Sequence, residues 1–375
     1  MNSRIFVRKL YHFTLIIALL YLFLVSISAI SMSFKLFGKE FSERLIQTTS
    51  NPFVGLFIGI LTTAIVQSSS TTTSMVVGFV AAGTLTIPCA IPIVMGANIG
   101  TTVTNTLVSL GHITRKDEFK RAFAGAIIHD IFNVLAVLIL LPLELTTGFL
   151  EKIGSAMAKN FYNLGGIHVV SPIKTAVGPV VSYTKNLLID AIGFPEKISG
   201  IILLAMAIVL LITSLFFLVR VMRSVIARRT EVILDKLIGK HGLSGMFLGF
   251  LFTAIVQSSS VTTSILVPLL GSGILNVAQA FPITLGANIG TTVTAIIASL
   301  TGNIAAITIA FVHLLFNICG ILLLYPFKIT RNIPVWLAEK IADKCIANKF
   351  VPILFIGLTF FVVPGVLIWI FRLIN

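Results

Sequence analysis

Charge is what this chain of 375 residues has least of: 11% is Asp, Glu, Lys or Arg, where soluble domains carry about 25%. No Lys or Arg lies between Arg44 and Arg115 or between Lys240 and Lys328, and 241–327 holds no acid either. Three cysteines are present, none at metal-ligand spacing with His or another Cys, so a transition-metal site is not expected. Catalytic signatures are missing as well. There is no Gly-x-Ser-x-Gly elbow, no His-Glu-x-x-His and no apparent Ser-His-Asp set, which argues against an enzyme. Bases outnumber acids 27 to 13, yet no basic patch interleaved with aromatics supports nucleic-acid binding.

What the chain has is apolar surface. It is 57% hydrophobic, and its mean hydropathy is +1.05, which makes lipid its solvent. Stretches 13–33, 121–143, 199–222, 304–326 and 351–371 are each long enough to span a bilayer, for which about 20 apolar residues suffice. The basic residues cluster in connectors beside these spans. By the bias of Lys and Arg toward the cytoplasm, the loop 111–121 (Arg115, Lys116, Lys120, Arg121), the segment 220–240 and the loop after 326 are cytoplasmic. The N-terminus then starts inside the plasma or inner membrane, 144–198 is an external loop, and the C-terminus ends outside.

An internal repeat decides the architecture. Residues 64–70 and 254–260 both read AIVQSSS, and 96–104 and 286–294 both read GANIGTTVT, at an offset of 190. Further on the offset is 184, pairing His129, Phe132, Asn133 and Pro142 with His313, Phe316, Asn317 and Pro326. The six residues lost are in the loop that is basic in the first copy and uncharged in the second, Thr301-Gly302-Asn303. Equivalent points then face opposite sides of the membrane, as inverted repeats require. The expected fold is an all-α integral membrane protein with two inverted-topology repeats. Each holds a re-entrant helical hairpin (52–83 and 243–272) and a broken transmembrane helix (85–110 and 279–300). The chain divides into an N-terminal span and external linker (1–51), repeat one (52–144), the external loop, connecting span and basic cytoplasmic loop (145–242), repeat two (243–328), and a basic loop with a C-terminal span (329–375).

The duplicated blocks carry the site. Gln67-Ser68-Ser69-Ser70-Thr71 and Gln257-Ser258-Ser259-Ser260 interrupt apolar runs, where broken backbone survives only if protein or a wet cavity surrounds it. Ser and Thr cap helix N-termini, and the free N–H groups there bind anions. Carbonyls at the opposing helix ends suit Na⁺, with oxygens from Gln67, Ser69, Gln257, Ser259 and Thr262 beside them. In the second block pair, Gly96, Gly100, Gly286 and Gly290 are expected to permit unusual backbone angles, with Asn98, Thr101, Thr102, Asn288, Thr291 and Thr292 as sodium ligands. With no Arg or Lys in reach, a co-bound cation offsets the cost of burying an oxyanion. Asp130 is the sole acid within a span, and an intramembrane carboxylate is a cation or proton site by default. His129 and His313 stand four residues before Asn133 and Asn317, on one helix face, and are expected to bond backbone carbonyls.

These blocks resemble the type II sodium/phosphate cotransporter family. The likeness rests on the duplicated Gln-Ser-Ser-Ser, the Asn-Ile-Gly-Thr blocks, Arg121-Ala-Phe-Ala-Gly-Ala-Ile-Ile-His-Asp130 and the stretch His313–Pro326. It covers roughly 52–144 and 243–328. The resemblance implies that Gln67–Thr71 and Gln257–Ser260 line the phosphate and sodium site. Electrogenic members carry Ala-x-Ala-x-x-x-Asp, present here as Ala124, Ala126 and Asp130, which implies an additional Na⁺ and divalent phosphate. Loop 144–198 holds no Cys, unlike vertebrate members, which suggests a compact prokaryotic type. The expected function is sodium-coupled symport of inorganic phosphate by alternating access, with Na⁺ as coupling ion, no cofactor, the bilayer as surroundings and a homodimer compatible with the sequence. The residues alone leave open another oxyanion such as sulfate or a dicarboxylate, phosphate export, and a channel.

Overall fold

The computed structural model describes residues 2–164, 172–237, 242–346 and 350–374, and the regular elements among them are all helical. The chain opens with α1 (Asn2–Phe37) and the short α2 (Lys39–Thr49). The first copy follows as α3 (Pro52–Val66), α4 (Ser69–Ala82), α5 (Ile87–Gly100), α6 (Val103–Ser109) and α7 (Lys116–Thr147). Between the copies lie α8 (Phe149–Leu164), α9 (Pro172–Asn186) and α10 (Glu196–Leu237). The second copy is α11 (Gly242–Val256), α12 (Ser259–Gly271), α13 (Val277–Ser299) and α14 (Ile304–Leu324). The chain closes with α15 (Lys328–Ile346), α16 (Phe350–Gly357) and α17 (Val363–Ile374).

Among the described residues, seven helical stretches are long and apolar enough to cross a membrane: Leu10–Phe37, Ile87–His112, Lys116–Thr147, Glu196–Val221, Val277–Ser299, Ile304–Leu324 and Phe350–Phe371. Each contains or closely matches a stretch expected to span. Helices α3, α11 and α12 are apolar but too short to cross. The windows in Ile87–His112 and Val277–Ser299 are 78% buried, against 17% for Phe350–Phe371. The centre is therefore α5 and α13, with the C-terminal span at the rim.

Glycine sets that centre. Helix α3 packs along α5, and α11 along α13. A Cβ on Gly96 would lie 1.9 Å from the Leu56 carbonyl oxygen, and one on Gly286 would lie 1.8 Å from that of Met246. From the other side, Gly59 and Gly249 abut the backbones of Ile93 and Ile283. Bare backbone faces bare backbone, which lets the helices approach closely. This corrects the expectation of a glycine-permitted break. Gly96, Gly100, Gly286 and Gly290 are helical, and none is among the positive-φ glycines. In the second copy α13 runs unbroken through Gly286–Gly290. In the first copy the only interruption is a shallow one at Thr101–Thr102, both right-handed.

The connectors also differ from expectation. The stretch 144–198 is not a loop, since it carries α8 and α9. Helix α8 packs along α14, where Gly154 abuts Thr308 and Val312. The Glu144 carboxylate accepts from the backbone N–H groups of Leu150 and Glu151 and so fixes the corner between α7 and α8. The basic segment 220–240 continues α10 as helix to Leu237, and 238–240 lie outside the described residues. The basic stretch after 326 is α15, packed along α7, where Lys120 Nζ meets Asp343 Oδ1 at 2.5 Å.

Candidate functional site

The two Gln-Ser-Ser-Ser segments form matching turns. Helix α3 ends at Gln67 (φ 55°) and α11 at Gln257 (φ 61°), and these are the only non-glycine residues with positive φ among those described. The next residue is extended in each copy: Ser68 Oγ accepts from Thr71 N, and Ser258 Oγ accepts from Val261 N, capping α4 and α12. A left-handed L-residue costs about 1–2 kcal/mol that glycine would not. Holding glutamine in that geometry twice indicates that its side chain is needed.

The turns meet. Ser70 Oγ donates to the Gln257 carbonyl oxygen at 3.3 Å, so the first turn of α4 faces the C-terminal end of α11. Around this contact each copy's second short helix packs on the other copy: α4 on α13 and α14, α12 on α6 and α7. Ser69, Ser70, Thr71, Gln257, Ser259 and Ser260 are buried. Among the described residues, the hydroxyls of Ser69, Ser259 and Ser260 bond no protein group. Two N-terminal helix ends, two C-terminal ends and unengaged hydroxyls therefore converge without a Lys or Arg. The N-terminal ends favour an anion and the carbonyl ends a cation.

The turns are not equal. Gln257 is buried, its Oε1 accepting from Thr294 Oγ1 at 2.7 Å and its Nε2 donating to the Ala254 carbonyl. Gln67 is exposed, with no side-chain partner among the described residues. Thr253 Oγ1 bonds Thr262 Oγ1 at 2.5 Å, whereas the corresponding Thr63 hydroxyl is buried without a partner among the described residues.

Beneath the turns is a polar ring that sequence reasoning missed. His313 Nε2 donates to Asn98 Oδ1 at 3.1 Å, and His129 Nε2 donates to Asn288 Oδ1. Asn288 Nδ2 donates to Asn133 Oδ1 at 3.0 Å, and Asn98 Nδ2 to Asn317 Oδ1 at 3.4 Å. Asn133 and Asn317 also donate to the Asn98 and Asn288 carbonyls, at 3.1 and 3.4 Å. Each histidine thus bonds the carboxamide of the opposite copy, not the backbone carbonyl expected for it. The signal was available: His and Asn recur four residues apart at the same offset in both copies. Asn98 and Asn288, expected as sodium ligands, belong to this ring.

The remaining candidates split by what their hydroxyls do. Thr102 Oγ1 bonds His129 Nδ1 at 2.8 Å. The hydroxyls of Thr101, Thr262, Thr291 and Thr292 donate back to carbonyls on or just before their own helices, Ala97, Ser258, Asn288 and Ile289. They keep lone pairs for a ligand. Asp130 is buried beside Thr102, yet among the described residues neither carboxylate oxygen accepts a hydrogen bond of normal geometry. Asn105, which accepts from Ser264 Oγ at 3.1 Å, likewise has a buried Nδ2 without a partner among the described residues.

A helical membrane bundle whose duplicated halves bring two capped, strained turns together in a buried centre is the architecture of a secondary transporter. The chain belongs to the Na⁺/Pi-cotransporter family, whose model matches residues 22–159 and 210–361. Among curated relatives, sodium-dependent phosphate transport protein 2A of Rattus norvegicus is 34% identical over 428 residues, covering 95% of this chain and 67% of the relative. The corresponding figures for protein 2B of Homo sapiens are 33% over 440 residues, 93% and 64%. The chain spans about two thirds of the length of these relatives. No solved structure matches it.

Proposed function

We propose that this protein carries inorganic phosphate across the plasma or inner membrane together with Na⁺, by alternating access. The observation that carries the proposal is the meeting of the two Gln-Ser-Ser-Ser turns through Ser70 and the Gln257 carbonyl. The α4 and α12 N-termini with Ser68, Ser69, Ser70, Thr71, Ser258, Ser259 and Ser260 hold the phosphate. Gln67 and Gln257 reach it from the strained corners. The α3 and α11 carbonyl ends, with Ser69, Ser259 and Thr262, hold Na⁺. In the membrane α3–α4 and α11–α12 are re-entrant pairs in repeats of opposite orientation, which the length of α3, α11 and α12 supports.

A buried carboxylate without hydrogen-bond donors is costly, and a cation removes that cost. Asp130, which lies beside Thr102, therefore takes an additional Na⁺. With divalent phosphate that ion makes each cycle move net positive charge.

The test is labelled phosphate uptake into proteoliposomes of the purified protein, with an inward Na⁺ gradient or with K⁺ in its place. Sulfate and succinate serve as competitors. Sodium-dependent uptake blocked only by phosphate-like anions is expected. No sodium dependence, in demonstrably folded protein, would refute the proposal.

A further inference from the structure

The far ends of α4 and α12, away from the turns, are held in a reciprocal way. Arg121, in the second turn of α7, reaches the C-terminal end of α12 in the other copy. Its Nε donates to the carbonyls of Leu270 and Gly271, both at 3.2 Å, and its Nη2 donates to Gly271 O at 2.6 Å. The His112 ring covers the same end, within about 3.1–3.4 Å of where a Gly271 Cβ would stand. His112 is held by Glu118, which also pairs with Arg115 at 2.9 Å.

The residue corresponding to Gly271 in the first copy is Ala81, at the offset of 190. Its carbonyl is also taken by the other copy, from Asn303 Nδ2 at 3.4 Å. Asn303 uses its Oδ1 to cap α14 through Ala306 N. So the same carbonyl of each short helix is bonded by the opposite copy, in one case from the start of α7 and in the other from the α13–α14 connector. One bond set is a forked guanidinium on a helix C-terminus, the other a single long neutral bond. Charge-assisted, forked bonds are roughly twice as strong as neutral ones, and a cation at a helix C-terminus gains from the dipole as well.

The turns differ in the same sense. The pair whose far end Arg121 holds has Gln257 buried on Thr294 and Thr253 bonded to Thr262. The pair held by Asn303 has Gln67 exposed and, among the described residues, the Thr63 and Ser74 hydroxyls without partners.

We infer that Arg121 is a positioning residue: its grip on the Leu270 and Gly271 carbonyls locks α12 and holds the second Gln-Ser-Ser-Ser turn closed, while α4, held only by neutral bonds from Asn303 to Ala81 O and from Ser31 to Gly78 O at 2.9 Å, is the more weakly held of the two. The inference rests on the reading of these turns as the transport site. Transport then requires the Arg121 bonds to open once in each cycle.

Two buried valines at corresponding positions read the lock. Val267 on α12 packs against Ala122 and Ala126 of α7 at 1% exposure, and Val77 on α4 is 0% exposed. In full-length protein with Cys89, Cys319 and Cys345 replaced by Ala, Val267→Cys and Val77→Cys are introduced separately. Their labelling by a charged maleimide in lipid nanodiscs is timed. Arg121→Gln is expected to speed labelling at Val267→Cys by about tenfold or more, from the loss of charge-assisted bonds, and to leave Val77→Cys unchanged. Arg121→Lys keeps the charge but not the fork, and is expected to fall between. It also serves as the test variant if Arg121→Gln does not fold. Unchanged labelling at Val267→Cys overturns the inference. Faster labelling at both valines also overturns it, because that is general loosening. Sodium-driven phosphate uptake is measured in parallel. Absent uptake in the parent, together with the expected labelling pattern, removes the proposed function and keeps the lock.

Discussion

Replacing Gln67 by glycine sets stability against function. Gln67 sits at φ 55° and is exposed, so its side chain contributes no bond to the fold that a shorter residue would lose. Glycine removes a left-handed penalty of about 1–2 kcal/mol. It returns about 0.5–1 kcal/mol through the greater freedom of the unfolded chain. The net effect is a gain of about 0–1.5 kcal/mol, or a melting temperature unchanged or raised by up to about 2 °C. If the Gln67 amide is a ligand for the anion, its removal costs a hydrogen bond to a charged group, about 1.5–3 kcal/mol. That corresponds to about a ten- to hundredfold loss in phosphate affinity. Gln257→Gly gains the same backbone relief but loses the bonds to Thr294 and Ala254, so its melting temperature should fall. Melting is read by intrinsic fluorescence in detergent, and affinity by the phosphate dependence of sodium-driven uptake. A Gln67→Gly protein with the parent's phosphate affinity would refute the reasoning, because the strained glutamine would then have no use.

Asp130→Gly should keep sodium-driven phosphate uptake but abolish the accompanying current in voltage-clamped membranes; a current equal to the parent's at equal flux would remove Asp130 from charge movement. Ser69→Ala and Ser259→Ala should each reduce uptake by about tenfold or more without lowering the melting temperature, since neither hydroxyl bonds a protein group among the described residues. Normal kinetics in both would move the site away from the turns. Gly96→Ala and Gly286→Ala should fail to give monodisperse protein, because the new methyl would stand within 2 Å of the Leu56 or Met246 carbonyl oxygen. Burial pushes the Cys345 thiol up to about 11. Its labelling by maleimide at neutral pH should therefore be about a hundredfold slower than in SDS and should speed up as pH rises toward that value; complete labelling within minutes at neutral pH would contradict it.

Much of the fold was legible because lipid imposes simple rules. A run such as 304–326 has little choice but a helix, and it is one, as Ile304–Leu324. The duplicated Gln-Ser-Ser-Ser marked two turns correctly, since four consecutive polar residues inside an apolar run need capping or solvent. Glycine misled because it serves two ends. Gly96 and Gly286 supply absence of bulk, not freedom of φ, and only the facing carbonyls of Leu56 and Met246 decide between those roles. Segment 144–198 gave no long apolar run, so α8, which buries one face on α14, passed for loop. The histidines were placed on the right face, but their partners lie on the other copy, and periodicity within one helix carries no information about that.

The polar ring bears on how the chain is made. Asn98, His129 and Asn133 are all synthesised before the carboxamides they pair with, Asn288 and Asn317. Asn288 follows its partner Asn133 by 155 residues, and Asn317 follows its partner Asn98 by 219. At translation rates of about 5–20 residues per second, that is a delay of roughly 10–40 seconds. For that interval the first half stands in the bilayer with three polar side chains lacking their final partners, a state costly in hydrocarbon. Biogenesis is therefore a single late event: neither half reaches its finished core until α14 has arrived, and a ribosome stalled after α10 leaves a half-protein that quality control can recognise.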